Sequence, residues 1–288
     1  MNINTIDIDD PNYPMQLREI PDPPQKLYYT GDISKLNTVD CVSVVGSRHA
    51  TKYGQDIALR IGESYASHGI AIVSGMAQGI DSLAHRGALK ANGLTVAVLG
   101  TGIDVLFPKS AYDLRKEIYD TGIIISEYPP GTPGAKWTFP LRNRIISGLS
   151  KATIIVEAGI KSGSLITAEH ANNQNRYVFA VPGNIDRESS LGCNKLIGEK
   201  AMPLVYIDDA MHLLGMNTMD DVESSIVDQL GSTEKDIYRE LCMNGELTYD
   251  QLRDLTNMEM KQLIAVVSVM EMKGIVTTFY GRVMKNWL

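Results

Sequence analysis

At 288 residues and 44% apolar, the chain has room for one sizeable α/β domain and a small second domain, and its net charge of −7 argues against a protein that coats duplex DNA over its whole surface. The three cysteines (Cys41, Cys193, Cys242) lie far apart without a C-x-x-C pair, which gives no sign of a disulfide framework or a zinc site. The acidic start MNINTIDIDDP is not a signal peptide and no apolar run reaches the ~18 residues of a membrane span, so the expectation is a cytoplasmic protein.

Residues 1–40 are punctuated by prolines (DDPNYP, IPDPPQK), and each X-Pro step disfavours helix before it. Leu17, Ile20, Leu27, Tyr28 and Tyr29 need burial, so this segment reads as an ordered arm packed on the main domain, with a flexible linker as the alternative. From Cys41 the pattern changes. Short apolar runs recur at CVSVVG, GIAIVSG, LTVAVLG, GIIISE, ATIIVEA and RYVFAVPG, beginning near residues 41, 69, 94, 122, 152 and 176. Each is apolar at successive positions, as in a strand buried on both faces. Helical patterns lie between them. In KYGQDIALRIGESYASHG, Ile57, Ile61 and Tyr65 fall four apart and Gly69 supplies the stop. Repeated strand–helix units predict a doubly wound α/β domain over 41–215, with a parallel sheet and helices on both faces. Residues 216–232, polar and acidic, read as a linker. Residues 233–288 offer three helical segments, the second with Leu247, Leu252 and Leu255 as its apolar set. A β-like tail with Gly281 at a hairpin turn then completes a winged-helix pattern.

Ligands of open parallel sheets gather at the carboxyl ends of the strands. The first end reads Gly46-Ser47-Arg48 and lacks the glycine spacing of a dinucleotide fingerprint. Gly46 serves a tight turn on one reading, but an arginine beside helix N-terminal amides suits a phosphate oxygen. The second end carries Ser74, Gly75 and Gly79, with Asp81 or Ser82 as a cap for the next helix. The stretch GAKWTFPLRNR brings Lys136, Trp137, Phe139, Arg142, Asn143 and Arg144 together. Between 131 and 176 there are six basic residues and two acidic ones. Cations interleaved with aromatics suit a single nucleic-acid strand: cations track phosphates and rings stack on exposed bases. The bland alternative keeps Trp137 and Phe139 in the core and the arginines in surface ion pairs. Lys161 and the Ser162-Gly163-Ser164 turn open a further helix as an anion cradle. Glu157 has no partner acid or histidine at telling spacing, and H-E-x-x-H, G-x-S-x-G and Walker motifs are missing. The sequence therefore reads as a binding surface, not an enzyme, with no cofactor or metal site.

GSR at 46–48, SGMAQGIDSLAH at 74–85, FPLRNRIISGLS at 139–150, SGSLITAEHA at 162–171 and VPGN at 181–184 resemble, in order, the DNA-processing protein A family (DprA/Smf) over roughly residues 10–215. The resemblance implies an extended Rossmann-like domain that binds single-stranded DNA, works as a homodimer and helps load the RecA recombinase during natural transformation. Carried over by motif, Arg48 holds a phosphate, and Lys136, Phe139, Asn143 and Arg144 line the groove with Phe139 as the stacking ring. The Ser74-Gly75 and Ser162-Gly163-Ser164 turns add backbone contacts. The competing reading is a nucleoside-monophosphate phosphoribohydrolase-like enzyme. Its P-G-G-x-G-T-x-x-E stretch is replaced here by VEAGIKSGSLITAE, which leaves Glu169 as its candidate acid. A small-nucleotide sensor with a transcriptional winged helix is a weaker reading. The third helix of the C-terminal segment brings only Lys261 and Lys273, and residues 220–288 carry twelve acids against seven bases. That segment is expected to bind protein or to regulate the groove by charge, and not to read duplex DNA.

Overall fold

A computed structural model describes residues 3–215 and 230–286. The chain divides into two compact units, Met1–Thr218 and Met219–Leu288. Most of the expected linker, residues 216–229, lies outside the described residues.

Every apolar run from Cys41 onward becomes a strand. These are β3 (Cys41–Val45), β4 (Ala71–Ser74), β5 (Thr95–Leu99), β6 (Ile123–Ser126), β7 (Ala152–Ile155) and β8 (Tyr177–Ala180). They pair in parallel, in the order β6-β5-β4-β3-β7-β8, and the two-residue β9 (Met202–Pro203) continues beyond β8. Their side chains alternate between two apolar layers, which is why the runs show no polar face. Cys41 and Val45 of β3 join a core with Ile145, Ile146, Ala168 and Cys193, from α5 (Thr138–Gly148), α6 (Ser164–Asn173) and α7 (Leu191–Glu199). Val42 and Val44 join the opposite core with Ile61, Tyr65, Ile80 and Ala84, from α2 (Lys52–Ser67) and α3 (Ile80–Lys90). Here α4 (Tyr112–Thr121) adds Leu114 and Ile118 over β5 and β6, and α8 (Asp209–Leu213) adds Met211. The order runs outward from β3 in one direction through β6, then returns to β7 on the other side. The switch point therefore lies between β3 and β7.

α2 ends as its sequence predicts. Ile61 and Tyr65 are fully buried, and Gly69 follows with φ +78. Glycines also let α2 and α3 approach closely. A Cβ on Gly62 would lie 2.3 Å from the Ala84 carbonyl oxygen, and one on Gly87 would lie 2.2 Å from that of Leu59.

The N-terminal arm does more than lie on the domain. β1 (Asn4–Asp7) and β2 (Lys26–Thr30) are antiparallel strands of the same sheet, with β2 paired to β6 through Tyr28↔Ser126 and Thr30↔Ile124. Between them Leu17, on α1 (Met15–Arg18), and Ile20 are buried together with Leu27, while Tyr28 and Tyr29 are half-buried.

The second unit runs α9 (Ser232–Asn244), β10 (Leu247–Thr248), α10 (Tyr249–Thr256), α11 (Met260–Met272), β11 (Val276–Phe279) and β12 (Arg282–Lys285). Its sheet order, β10-β12-β11, is that of a winged helix. The hairpin turns on Tyr280 (φ 48) and Gly281 (φ 73), both left-handed, the backbone of a two-residue type I′ turn. Leu241, Leu252, Leu263, Val267, Met270 and Val283 form its core. Leu247 is buried on β10, not on the second helix, and Leu255 is exposed. No helix among the described residues is long and apolar enough to cross a membrane.

Candidate nucleic-acid interface

The turn after β3 is shaped first by packing. A Cβ on Gly46 would lie 2.7 Å from the Ile80 side chain and 2.9 Å from the Glu157 carbonyl oxygen, so the glycine is needed for close approach. Ser47 N–H donates to that carbonyl at 2.7 Å, and Ile80 N–H donates to the Ser47 carbonyl at 3.2 Å. The N-terminus of α2 is already occupied by an anion, but an internal one. The Glu157 carboxylate accepts from Thr51 N–H at 3.1 Å and from the Thr51 hydroxyl at 2.8 Å, while Thr51 Oγ1 caps Gly54 N–H at 3.2 Å. At that cap the Glu157 carboxylate stands beside the place where a phosphate shared by Arg48 and the α2 amides is expected. The exposed Arg48 guanidinium remains for a ligand.

At the switch point lies a cleft of about 830 Å³. Gly46, Ser47, Arg48, Lys136, Phe139, Arg142, Asn143, Lys161, Ser162, Gly163 and Ser164 all border it. Phe139, in the first turn of α5, is half-buried and wedged between glycines. A Cβ on Gly100 would lie 2.8 Å from its ring, and one on Gly134 would lie 2.9 Å from it. The Arg48 guanidinium carbon sits 5.9 Å from the ring centroid, and the Phe107 ring sits 5.3 Å away at a 33° tilt. Trp137 is exposed beside Tyr128, with ring centroids 6.2 Å apart. On the far wall, Asn143 Nδ2 donates to the Gly163 carbonyl at 3.4 Å, and the Ser162 and Ser164 hydroxyls share a 2.8 Å hydrogen bond at the start of α6. A Cβ on Gly163 would meet nothing within 4 Å, so this helix start is open. Lys136 and Lys161 are exposed at the cleft.

Other expected contacts are engaged within the fold. Ser74 is fully buried, and its hydroxyl donates to the Val44 carbonyl at 2.6 Å. Gly75 gives its N–H to Asp81 at 3.1 Å, and Gly79 (φ +87) packs on the Ser47 and Arg48 carbonyls; neither borders the cleft. Asp81 is not a helix cap. It reaches back to the amides of Gly75 and, at 3.4 Å, Ala77. Burial pushes its carboxyl up despite the neighbouring Arg142. Arg142 touches the cleft floor but is buried, donating to the carbonyls of Gly75 (2.9 Å) and Val98, and burial lowers it to about 10. Arg144 lies outside the cleft lining. It holds Glu127 through two hydrogen bonds, of 2.9 and 2.7 Å, and Asp22 of the arm at 3.0 Å. Lys151 pairs with Asp40 at 2.5 Å, and Arg176 donates to the Gln16 carbonyl at 2.9 Å. Of the six basic residues in 131–176, only Lys136 and Lys161 are therefore exposed at the cleft, and Arg48 joins them from β3. Sequence reasoning passed over Phe107, Gly100 and Gly134. Phe107 has a signal, a large aromatic before a proline in the loop after β5; the glycines' part shows only in three dimensions.

An open α/β sheet with a cationic, ring-bearing cleft at its switch point is a Rossmann-like ligand-binding protein. A family profile described as DNA recombination-mediator protein A matches residues 4–215, and the chain belongs to that family. It is 41% identical over 207 residues to the DNA processing protein DprA of Bacillus subtilis, covering 72% of this chain and 70% of that one. It is 42% identical over 210 residues to protein Smf of Synechocystis sp., covering 72% of this chain but only 53% of the relative. Among solved structures, DprA of Streptococcus pneumoniae superimposes with TM-score 0.70 at 40% identity, covering 75% of each chain. DprA of Helicobacter pylori, whose structure is described for its single-stranded DNA binding mode, superimposes with TM-score 0.68 at 30% identity, covering 74% of this chain and 96% of that one.

Proposed function

We propose that the chain is a recombination mediator that binds single-stranded DNA in the β3/β7 cleft, protects it, and helps load the RecA recombinase during natural transformation. One observation carries the reading: three exposed cations, Arg48, Lys136 and Lys161, border the same cleft as the wedged ring of Phe139 at the switch point. The cations meet phosphates, and the ring meets a base that a duplex keeps hidden. The binding mode described for the Helicobacter pylori protein supports the same role here. The hydrolase alternative needs Glu169, which is exposed on α6 and outside the cleft lining.

A cytoplasmic homodimer belongs to the same proposal. Tyr177, Ile185, Val205, Tyr206 and Leu213 are exposed apolar side chains in the region 165–215, where the later elements offer it a surface. The winged helix is proposed to bind protein. Lys273, which caps α11, is paired with Glu234 at 2.7 Å, while Ile264, Val269 and Met272 are exposed on that helix. Its acidity is narrower than expected. Residues 230–286 hold eight acids and seven bases, the excess coming from Asp220, Asp221, Glu223 and Asp228, outside the described residues.

Fluorescence anisotropy of labelled oligothymidine, against a duplex of equal length, tests the central reading. Single-strand binding that weakens sharply in Arg48→Ala is expected. A wild-type protein that ignores the single strand while releasing ribose phosphate from AMP overturns it.

A further inference from the structure

Leu89 of α3 packs on the core that Leu114 and Ile118 of α4 complete, and a groove runs between the two helices. Its lining follows the helical period. On α3 it takes Ser82, Leu83 and Arg86, then Leu89 and Lys90, successive turns of one face. On the opposite side it takes Ser110, Ala111 and Leu114, then Glu117, Asp120 and Thr121. The upper part, about 350 Å³, starts at Arg48. The lower part, about 650 Å³, reaches Lys35 and the loop that leads into β5. Arg86 borders both. The two parts differ in charge. The upper lining has Arg48, Arg86, His49, Gln55, Gln78 and two serines, and among the described residues it has no carboxylate and no Phe, Tyr or Trp. The lower lining brings Glu117 and Asp120, and its Lys90 is held by Glu63 at 2.8 Å.

We propose that a bound single strand leaves the cleft over Arg48 and runs down the face of α3 on its phosphates as far as Arg86, where the carboxylates of the lower groove end the track. The inference rests on the single-strand reading above and gives the strand an exit, away from the carboxyl ends of the sheet. Three observations carry it. Arg48 borders both the cleft and the upper groove, so the two spaces adjoin. Arg86 is exposed, and its side chain has no hydrogen bond or ion pair among the described residues, whereas Arg142 and Arg144 are engaged inside the fold. The upper groove also has no ring for a base to stack on, so it holds a strand by charge and leaves the bases turned to solvent. From Gly79 to Arg86 the lining spans about 10 Å of helix axis, enough for more than one nucleotide.

The test compares wild type and Arg86→Ala on two labelled oligothymidines, one of about 5 nucleotides and one of about 16, near the two ends of single-strand site sizes. Each is titrated across a salt series. Arg86 is exposed, so the variant folds, and a thermal melt checks that it does. Wild type should show a salt slope steeper by about 0.7 on the longer strand, the share of one further phosphate. Arg86→Ala should lose that extra slope and several-fold in affinity for the longer strand, with the short strand bound as before. Arg86→Lys should restore both. Wild-type affinity and slope of Arg86→Ala on the longer strand overturn the track, as does an equal loss on both lengths. A wild-type protein that binds neither strand removes the single-strand reading itself, which is a separate result.

Discussion

Arg144 carries a charge that a count along the sequence credits to a ligand, and Glu157 one that the sequence leaves without a partner; both are engaged inside the protein. Arg48 and Arg144 therefore separate in experiment. Arg144→Ala leaves Glu127 without its bidentate partner. It should lower stability by about 2–3 kcal/mol, less than the ~3–5 expected for a fully buried pair because Asp22 is mostly exposed. Chemical denaturation measures this, and the salt dependence of DNA binding should not move. Arg48→Ala should do the reverse, keeping the melting temperature while flattening the slope of log K against log salt by about 0.7. Phe139→Ala should cost about 1–3 kcal/mol of single-strand affinity, read by titration at constant salt. The aromatic–basic cluster is legible in sequence because its residues are contiguous. Which cations it exposes is not, since Glu127, Asp22 and Asp40 come from other parts of the chain.

Among the elements, the six parallel strands are legible because both faces are buried and the runs are continuously apolar. β1, β2 and β9 are not. They are short or mix polar with apolar residues, and prolines around them read as loop. α2 and α3 depend on each other through Gly62 and Gly87. Gly62→Leu should force them apart and destabilise the domain by more than about 1–3 kcal/mol, seen as a lower melting temperature. His85 ties α3 to β5. The Thr95 hydroxyl donates to the Ile72 carbonyl at 2.9 Å, so it accepts from the His85 Nδ1–H at 2.7 Å, while Nε2 is buried without a partner. Burial, with Arg142 nearby, lowers its pKa to about 3. The unfolded chain takes up this proton below about 6.5 and the folded one does not, so stability is full above that pH and falls as acid is added. Wild type should lose up to about 1.4 kcal/mol per pH unit from this group between pH 6 and pH 4. His85→Gln should lack that component, and urea melts at the two pH values give the comparison.

At the scale of the whole molecule, three exposed cations in the cleft set the salt slope near −2 for a single strand, at about −0.7 for each phosphate neutralised. A slope near zero would remove the phosphate track. Deleting residues 216–288 should leave single-strand affinity and that slope little changed, whereas a large loss of duplex affinity would sink the proposal that the winged helix binds protein. The nine-stranded sheet also ends abruptly on both sides. At one end is β1, four residues long with Asn4, Thr5 and Asp7 exposed; at the other is β9, two residues closed by Pro203, which has no N–H to give. Neither rim is a template for another strand, which protects the protein from ribbon-like aggregation. A self-association surface on this unit would then be built of side chains rather than a shared backbone ladder, and single substitutions could tune it.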